Sequence, residues 1–299
     1  MDILWSLEGI RTPFWNIFFQ LITRFGEETI LIAVFCIVFW SVNKRIGYVM
    51  GVSFFLSSLV VQGLKIIFRI PRPWIANPSF SPVQGAVGEA TGYSFPSGHT
   101  QNAAALLGSL GAQIKQKIVK IILFSLAILV AFSRLYLGVH YPADVVVSLL
   151  VTLAIIFIAS KILPAEFTSK KKELFLPLII LLCASIVIII IAYLYHNEIT
   201  EVRQLRDSSR AVGASIGFAI GMYIERVYIQ FSTKAKSIVH QIIKVMIGMA
   251  GALAFQEGFR ILGNGLIGDG ARYFLTVIWI GTIYPLIIKK FFNNAETIS

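Results

Sequence analysis

The sequence predicts an all-α polytopic transmembrane helix bundle of about nine helices, with a short N-terminal interfacial helix before them. Three observations predict it. Hydrophobic residues make up 57% of the 299-residue chain, charged residues only 14%, and mean hydropathy is +0.79. Soluble domains run near half apolar and about a quarter charged, so an ordinary soluble enzyme, a disordered chain and a nucleic-acid-binding domain are excluded. The apolar residues fall in runs that approach or exceed the roughly 20 residues a helix needs to cross a bilayer. The net charge of +11 collects at the ends of those runs, where it reads as orientation and contact with anionic headgroups rather than nucleic-acid binding.

Residues 13–25 come first. Phe14, Trp15, Phe18 and Phe19, flanked by Arg11 and Arg24, suit an amphipathic helix lying in the interface, with a short or tilted extra span as the alternative. Spans are then expected at 28–42, 46–68, 99–114, 118–136, 143–163, 174–195, 209–230, 238–262 and 271–289. The run 99–114 is rich in Ala and Gly, as a helix packed against neighbours would be. Pro142 opens the helix after it and its neighbour, since proline is tolerated at the first helical position. Gly213, Gly217 and Gly221 mark a packing face on 209–230. Glu257 and Arg260, three apart, are expected to form a structural ion pair. Cys36 and Cys183 lie in distant apolar runs and make no disulfide framework. Asp2 and Glu8 in the first nine residues argue against a cleavable signal peptide.

Lys44, Arg45, Lys115, Lys117, Lys120, Lys161 and Lys170 to Lys172 gather at one set of helix ends with few acids. By the positive-inside bias that set is cytoplasmic. The opposite ends carry Lys65, Arg72, Arg134, Arg206 and Arg210 against Glu28, Asp144, Asp207 and Asp269. Residues 164–173 form the best internal boundary. It divides 1–165, which holds the motifs described next, from 166–299, additional helices with no motif to explain them.

Three polar patches fall on the extracytoplasmic side by the span count. They run from Lys65 to Arg72-Pro73, through Tyr93-Ser94-Phe95-Pro96-Ser97-Gly98-His99, and from Ser133-Arg134 to His140 and Asp144. Together they hold three strong cations, two histidines, one serine hydroxyl, one carboxylate and a Gly-containing turn before a helix. Arginine forks and a lysine point charge suit phosphate oxygens. The Gly98 and His99 N–H groups, opening a helix, add a positive dipole end. Zinc needs three or four ligands, and one acid beside two histidines and several cations makes no metal cage. The residues therefore read as metal-independent phosphoryl transfer with no cofactor. Asp144, four residues after His140, can hold that imidazole in one tautomer, which makes His140 the nucleophile and Asp144 its orienter. His99 is the general acid for the leaving oxygen and then the base for water. Lys65, Arg72, Ser97, Gly98 and Arg134 would bind the phosphate oxygens. Arg69, and Tyr93 with Glu89 in the loop before the second patch, are further candidates for headgroup contact.

The patches resemble the signature of the type 2 phosphatidic acid phosphatase family: Lys, six residues, Arg-Pro; then Pro-Ser-Gly-His; then Ser-Arg, five residues, His, three residues, Asp. Lys65…Arg72-Pro73, Pro96-Ser97-Gly98-His99 and Ser133-Arg134…His140…Asp144 fit it without departure. The resemblance covers the chain to about residue 163. It implies a phosphohistidine intermediate, no metal, and a six-helix core in which residues 10–25 supply one of three helices before the lysine. The expectation is an integral membrane phosphatase in a bacterial inner membrane, acting from the extracytoplasmic side on a lipid phosphate or diphosphate such as phosphatidate, phosphatidylglycerol phosphate or undecaprenyl diphosphate. A lipid phosphotransferase using the same intermediate, or a lipid transporter or scaffold whose late helices carry the function, are the alternatives. No nucleic-acid partner is expected, and the oligomeric state is left open.

Overall fold

The structure, a computed structural model, describes residues 1–293 except 89, 165 and 264, and leaves out the side chain of residue 262. Glu89, and the residue that ends the first sequence region, therefore lie outside the described residues. Every described regular element is helical, in chain order α1 Asp2–Gly9, α2 Pro13–Thr23, α3 Glu28–Ile37, α4 Lys44–Phe68, α5 Pro73–Ala76, α6 Gln84–Val87, α7 Gly98–Ala103 and α8 Ser109–Gln113. There follow α9 Lys117–Tyr136, α10 Pro142–Ile162, α11 Lys170–His196, α12 Val202–Ile224, α13 Ile238–Gly258, α14 Leu266–Ile278 and α15 Tyr284–Ile288. Single π turns at Val38–Val42, Ala104–Gly108, Glu225–Ile229 and Trp279–Ile283 continue several of them.

The expected count of nine spans is not confirmed. Among the described residues seven helices are long and apolar enough to cross a membrane: Lys44–Ala76, Lys117–Tyr136, Pro142–Ile162, Lys170–His196, Val202–Ile229, Ile238–Ile261 and Leu266–Asn293. An eighth arises if Pro13–Gly26 and Glu28–Val42, bent by 49° at their junction, act as one. The reason is length. Helix α3 with its π turn is too short to cross without α2, so the first expected span reaches across only when joined to the segment expected to lie in the interface. The run from α7 to α8 is short as well, and Ala103 to Ser109 within it are buried, as in a helix enclosed by its neighbours.

Local chemistry sets the helix ends. Asn43 caps α4, its Oδ1 accepting from the Ile46 N–H at 3.1 Å, and Ser169 and Ser237 cap α11 and α13 in the same way. At its far end α4 stops at Arg69, which turns left-handed with φ 50°. Helix α4 is the axis of the bundle, with Tyr48, Val49, Val52 and Leu59 all buried. Phe35 from α3, Phe55 from α4 and Phe218 from α12 pack together in the core. The predicted glycine face holds: a Cβ on Gly213 would overlap the Gly270 carbonyl, so α12 and α14 meet backbone to backbone.

Buried charge is paired at both ends of the bundle. Lys44 meets Glu225 at 2.5 Å, Tyr48 donates to the same carboxylate, and Arg226 meets Glu173 at 3.0 Å. At the other end Asp269, its side chain fully buried, accepts from Arg206 at 2.6 Å, Arg210 at 3.1 Å and Arg272 at 3.0 Å. Glu257 and Arg260 form the expected pair at 2.9 Å, well exposed.

Candidate active site

The three sequence patches converge on one cavity of about 390 Å³. Lys65 reaches it from the last turn of α4. The left-handed Arg69 then turns the chain, so that Arg72 re-enters at the start of α5 and both cations are buried. Gly98 and His99 open α7 at the cavity wall. Arg134, fully buried in the last turn of α9, lines it and donates to Thr23 Oγ1 at 2.7 Å. The turn from α9 to α10 passes through Gly138 at φ 76°, where a Cβ would come within 2.8 Å of the Phe80 ring; glycine is what lets the backbone reverse there and present His140.

His140 sits between α9 and α10. Its Nδ1 lies 3.0 Å from Asp144 Oδ2, the four-residue reach the sequence predicted. Asp144 is held in turn by the Tyr141 N–H at 2.9 Å and by the Ser94 hydroxyl. On the other side of the ring, Arg72 Nη1 lies 2.8 Å from Nε2. An arginine can only donate, so Nε2 carries the lone pair and Nδ1 the proton that faces Asp144. Arg72 is itself caged: its guanidinium donates to the carbonyls of Val139 at 2.9 Å, Thr91 at 2.6 Å and Gly92 at 3.2 Å. Burial, then the charges of Arg72, Arg134 and Lys65, hold the His140 pKa well below the usual histidine value of 6.5. A neutral, lone-pair-bearing imidazole surrounded by cations is what a nucleophile toward a phosphorus centre requires.

Ser97 does not line the cavity. Its hydroxyl is the cap of α7, accepting from the Thr100 hydroxyl at 3.0 Å and the Thr100 N–H at 3.4 Å, while its backbone N–H bonds the Asp144 carbonyl at 3.1 Å. Its service is to position Gly98 and His99. Arg69 and Tyr93 also lie off the cavity; Tyr93 bonds Thr200 at 2.7 Å. Among the described residues no three His, Cys, Asp or Glu side chains cluster as metal ligands.

Sequence reasoning missed Ser94, Thr23 and Thr91, although Ser94 stands inside the second patch. It also missed that residues beyond 166 wall the cavity. Asp207, Arg210 and Ala214 come from α12 and Tyr273 from α14. The surplus of charged residues at that end of α12 was the one signal available.

The chain is similar to known proteins in two stretches. The PAP2 superfamily profile matches residues 46–168, and that of the PAP2 superfamily phosphatase transmembrane extension matches 209–296. The undecaprenyl-diphosphatase of Sulfolobus acidocaldarius is 29% identical over 159 residues, which is 51% of this chain and 71% of that protein. Phosphatidylglycerophosphatase B of Bacillus subtilis is 31% identical over 152 residues, 46% of this chain and 69% of that one. The lipid A 4'-phosphatase of Porphyromonas gingivalis is 28% identical over 162 residues, 52% of this chain and 68% of that protein.

Proposed function

We propose, from the premise that this chain belongs to the PAP2 superfamily, that it is an integral membrane phosphatase hydrolysing a lipid phosphate or diphosphate through a phosphohistidine, without metal. The observation that carries the reading is the His140 ring, with one nitrogen on Asp144 and the other on Arg72 inside a cation-lined cavity.

In the first half-reaction His140 Nε2 attacks phosphorus, forming the N–P bond as the bond to the leaving oxygen breaks. His99 gives that oxygen its proton. Asp144 stabilises the charge that develops on the imidazole. Lys65, Arg72, Arg134 and the Gly98 N–H neutralise the equatorial oxygens, the kind of stabilisation that supplies most of the rate. In the second half-reaction His99 takes a proton from water, the water oxygen attacks phosphorus, and the N–P bond breaks to release phosphate. Residues 1–165 supply these groups.

The lysine-rich helix ends support a cytoplasmic assignment, which puts the cavity on the extracytoplasmic side of a bacterial inner membrane. The test is phosphate release by purified protein in detergent with EDTA, across phosphatidate, phosphatidylglycerol phosphate and undecaprenyl diphosphate. Release that persists in EDTA and vanishes in His140→Ala and His99→Ala is expected. Activity retained by His140→Ala, or strict dependence on added metal, overturns the mechanism.

A further inference from the structure

The wall of the catalytic cavity formed by Glu28, Thr29, Phe54, Phe55, Ala214 and Tyr273 is shared with a second cavity of about 340 Å³. This second space lies between α3, α4, α13 and α14. Its character changes along its length. Its polar groups gather at the end nearest the catalytic cavity, where Glu28, Thr29 and the hydrogen-bonded pair Thr276 and Gln256, 3.0 Å apart, stand beside Phe54, Phe55 and Tyr273. At the far end Cys36, Gly51, Met249 and Ile280 line it, and all are apolar or lack a side chain. From Glu28 to Cys36 along α3 is about 12 Å at 1.5 Å per residue. The slot therefore descends from the level of the phosphate site toward the middle of the bundle. Leu253 at its rim is 62% exposed on the outer face of α13.

We infer that this slot holds the hydrocarbon chain of the substrate, and that helices α13 and α14 are thereby part of the substrate site. The inference rests on the phosphatase reading of the catalytic cavity. Three features fix the occupant. The slot joins the cavity through six shared residues, so whatever fills it is continuous with a group bound beside His140. Its lining passes from polar to apolar away from the cations, which matches a lipid whose phosphate is at one end and whose chain is at the other. Its rim at Leu253 faces the apolar surface of the bundle, where a chain can slide in sideways without passing through water. An apolar slot of this depth rewards each buried methylene, so it selects for chain length and not only for headgroup.

Ala252, nearly buried on α13, faces this space. Ala252→Trp fills it. The experiment compares dioleoyl with dihexanoyl phosphatidate at fixed surface concentration in mixed micelles, so that the headgroup is constant. The ratio of kcat/KM for the long over the short lipid is expected to fall about tenfold or more, the order that follows when two or more methylenes lose burial. Photolabelling of the unsubstituted protein with phosphatidate carrying a mid-chain diazirine is expected to mark Met249, Ala252 or Val277. An unaltered ratio, an equal fall for both lipids, or adducts confined to other helices overturns the inference. If neither phosphatidate is hydrolysed by the unsubstituted protein, long- and short-chain forms of phosphatidylglycerol phosphate and undecaprenyl diphosphate take their place; if none of these is hydrolysed, it is the phosphatase reading that fails, and the labelling pattern alone decides where the chain lies.

Discussion

Arg72 donates to the Nε2 of His140 at 2.8 Å, so it covers the lone pair that attacks phosphorus in the proposed mechanism. The same guanidinium is fastened to three backbone carbonyls. On the proposed mechanism, a phosphate oxygen entering the cavity would compete for the Nη1 donor and uncover His140 as it binds. Arg72→Ala is expected to lower kcat/KM by roughly 10²–10³-fold, the order seen when one key anion-stabilising donor is removed. Arg72→Lys is expected to rescue little of it, since an ammonium cannot span the carbonyls and the ring together. Steady-state kinetics on a lipid phosphate decide this; a lysine variant near full activity would show that only a point charge is needed.

Asp144 fixes the tautomer of His140, and Ser94 and the Tyr141 N–H fix Asp144. Asp144→Asn is expected to reduce kcat on the order of 10³-fold with little change in KM, because the amide favours the wrong tautomer. Ser94→Ala is expected to lose about tenfold. Trapping of labelled phosphoenzyme after rapid quench in alkaline detergent, which preserves an N–P bond, should fall in parallel; full trapping with slow turnover would place the defect in the second half-reaction.

The depressed His140 pKa has a signed consequence. A histidine held below 6.5 stays neutral, and so nucleophilic, as pH falls through 6.5, and is lost only when pH falls through its lower value in the folded protein. The acid limb of kcat/KM, which reports the free enzyme, is expected below pH 6.5 once the ionisation of the substrate phosphate is divided out. Arg72→Ala removes one of the charges responsible and should move that limb upward. A limb that stays in place on this substitution would contradict the cause.

Asp207 on α12 accepts from the Thr91 hydroxyl at 3.1 Å, and the Thr91 carbonyl accepts from Arg72. The late helices thus reach His140 through two intermediaries, Thr91 and Arg72. Asp207→Ala and Thr91→Val are each expected to cost about tenfold in kcat/KM, the worth of roughly one hydrogen bond. The double variant should cost little more than either, since both break one link. Additive losses would mean that the two residues act separately.

The backbone contact between Gly213 and Gly270 predicts a stability effect. Gly213→Leu forces α12 off α14 and is expected to cost about 1–3 kcal/mol of packing, read as a lowered midpoint of thermal unfolding in detergent. Gly98→Ala, which meets open space, is the control for added bulk.

The residues that meet at the cavity were legible because they are tied to local rules. His140 and Asp144 are four residues apart at a helix start, Ser97 and Gly98 form a cap, and buried cations in an apolar chain are costly enough to demand a purpose. The span count was less legible. Composition alone does not separate a helix wrapped in lipid from one wrapped in protein, and α7 with α8 is the latter. Nor does hydropathy reveal the 49° bend between Pro13–Gly26 and Glu28–Val42. The cavity wall beyond residue 166 was hidden for a different reason. Asp207, Arg210 and Tyr273 carry no motif and reach the cavity only because α12 and α14 pack glycine to glycine, a long-range contact no spacing rule contains.

Asp269, in the first turn of α14, gathers three guanidinium groups on one carboxylate: Arg206 and Arg210 near the start of α12 and Arg272 a turn further along α14. Tolerance to change there is accordingly lopsided. Any one of Arg206, Arg210 and Arg272 can be exchanged while two counter-charges remain, whereas replacing Asp269 strips Arg206 and Arg272 of their carboxylate and leaves Arg210 with Asp207 alone, the costliest way to break a buried pair. Variation among related sequences at this spot should fall on the spokes and spare the hub.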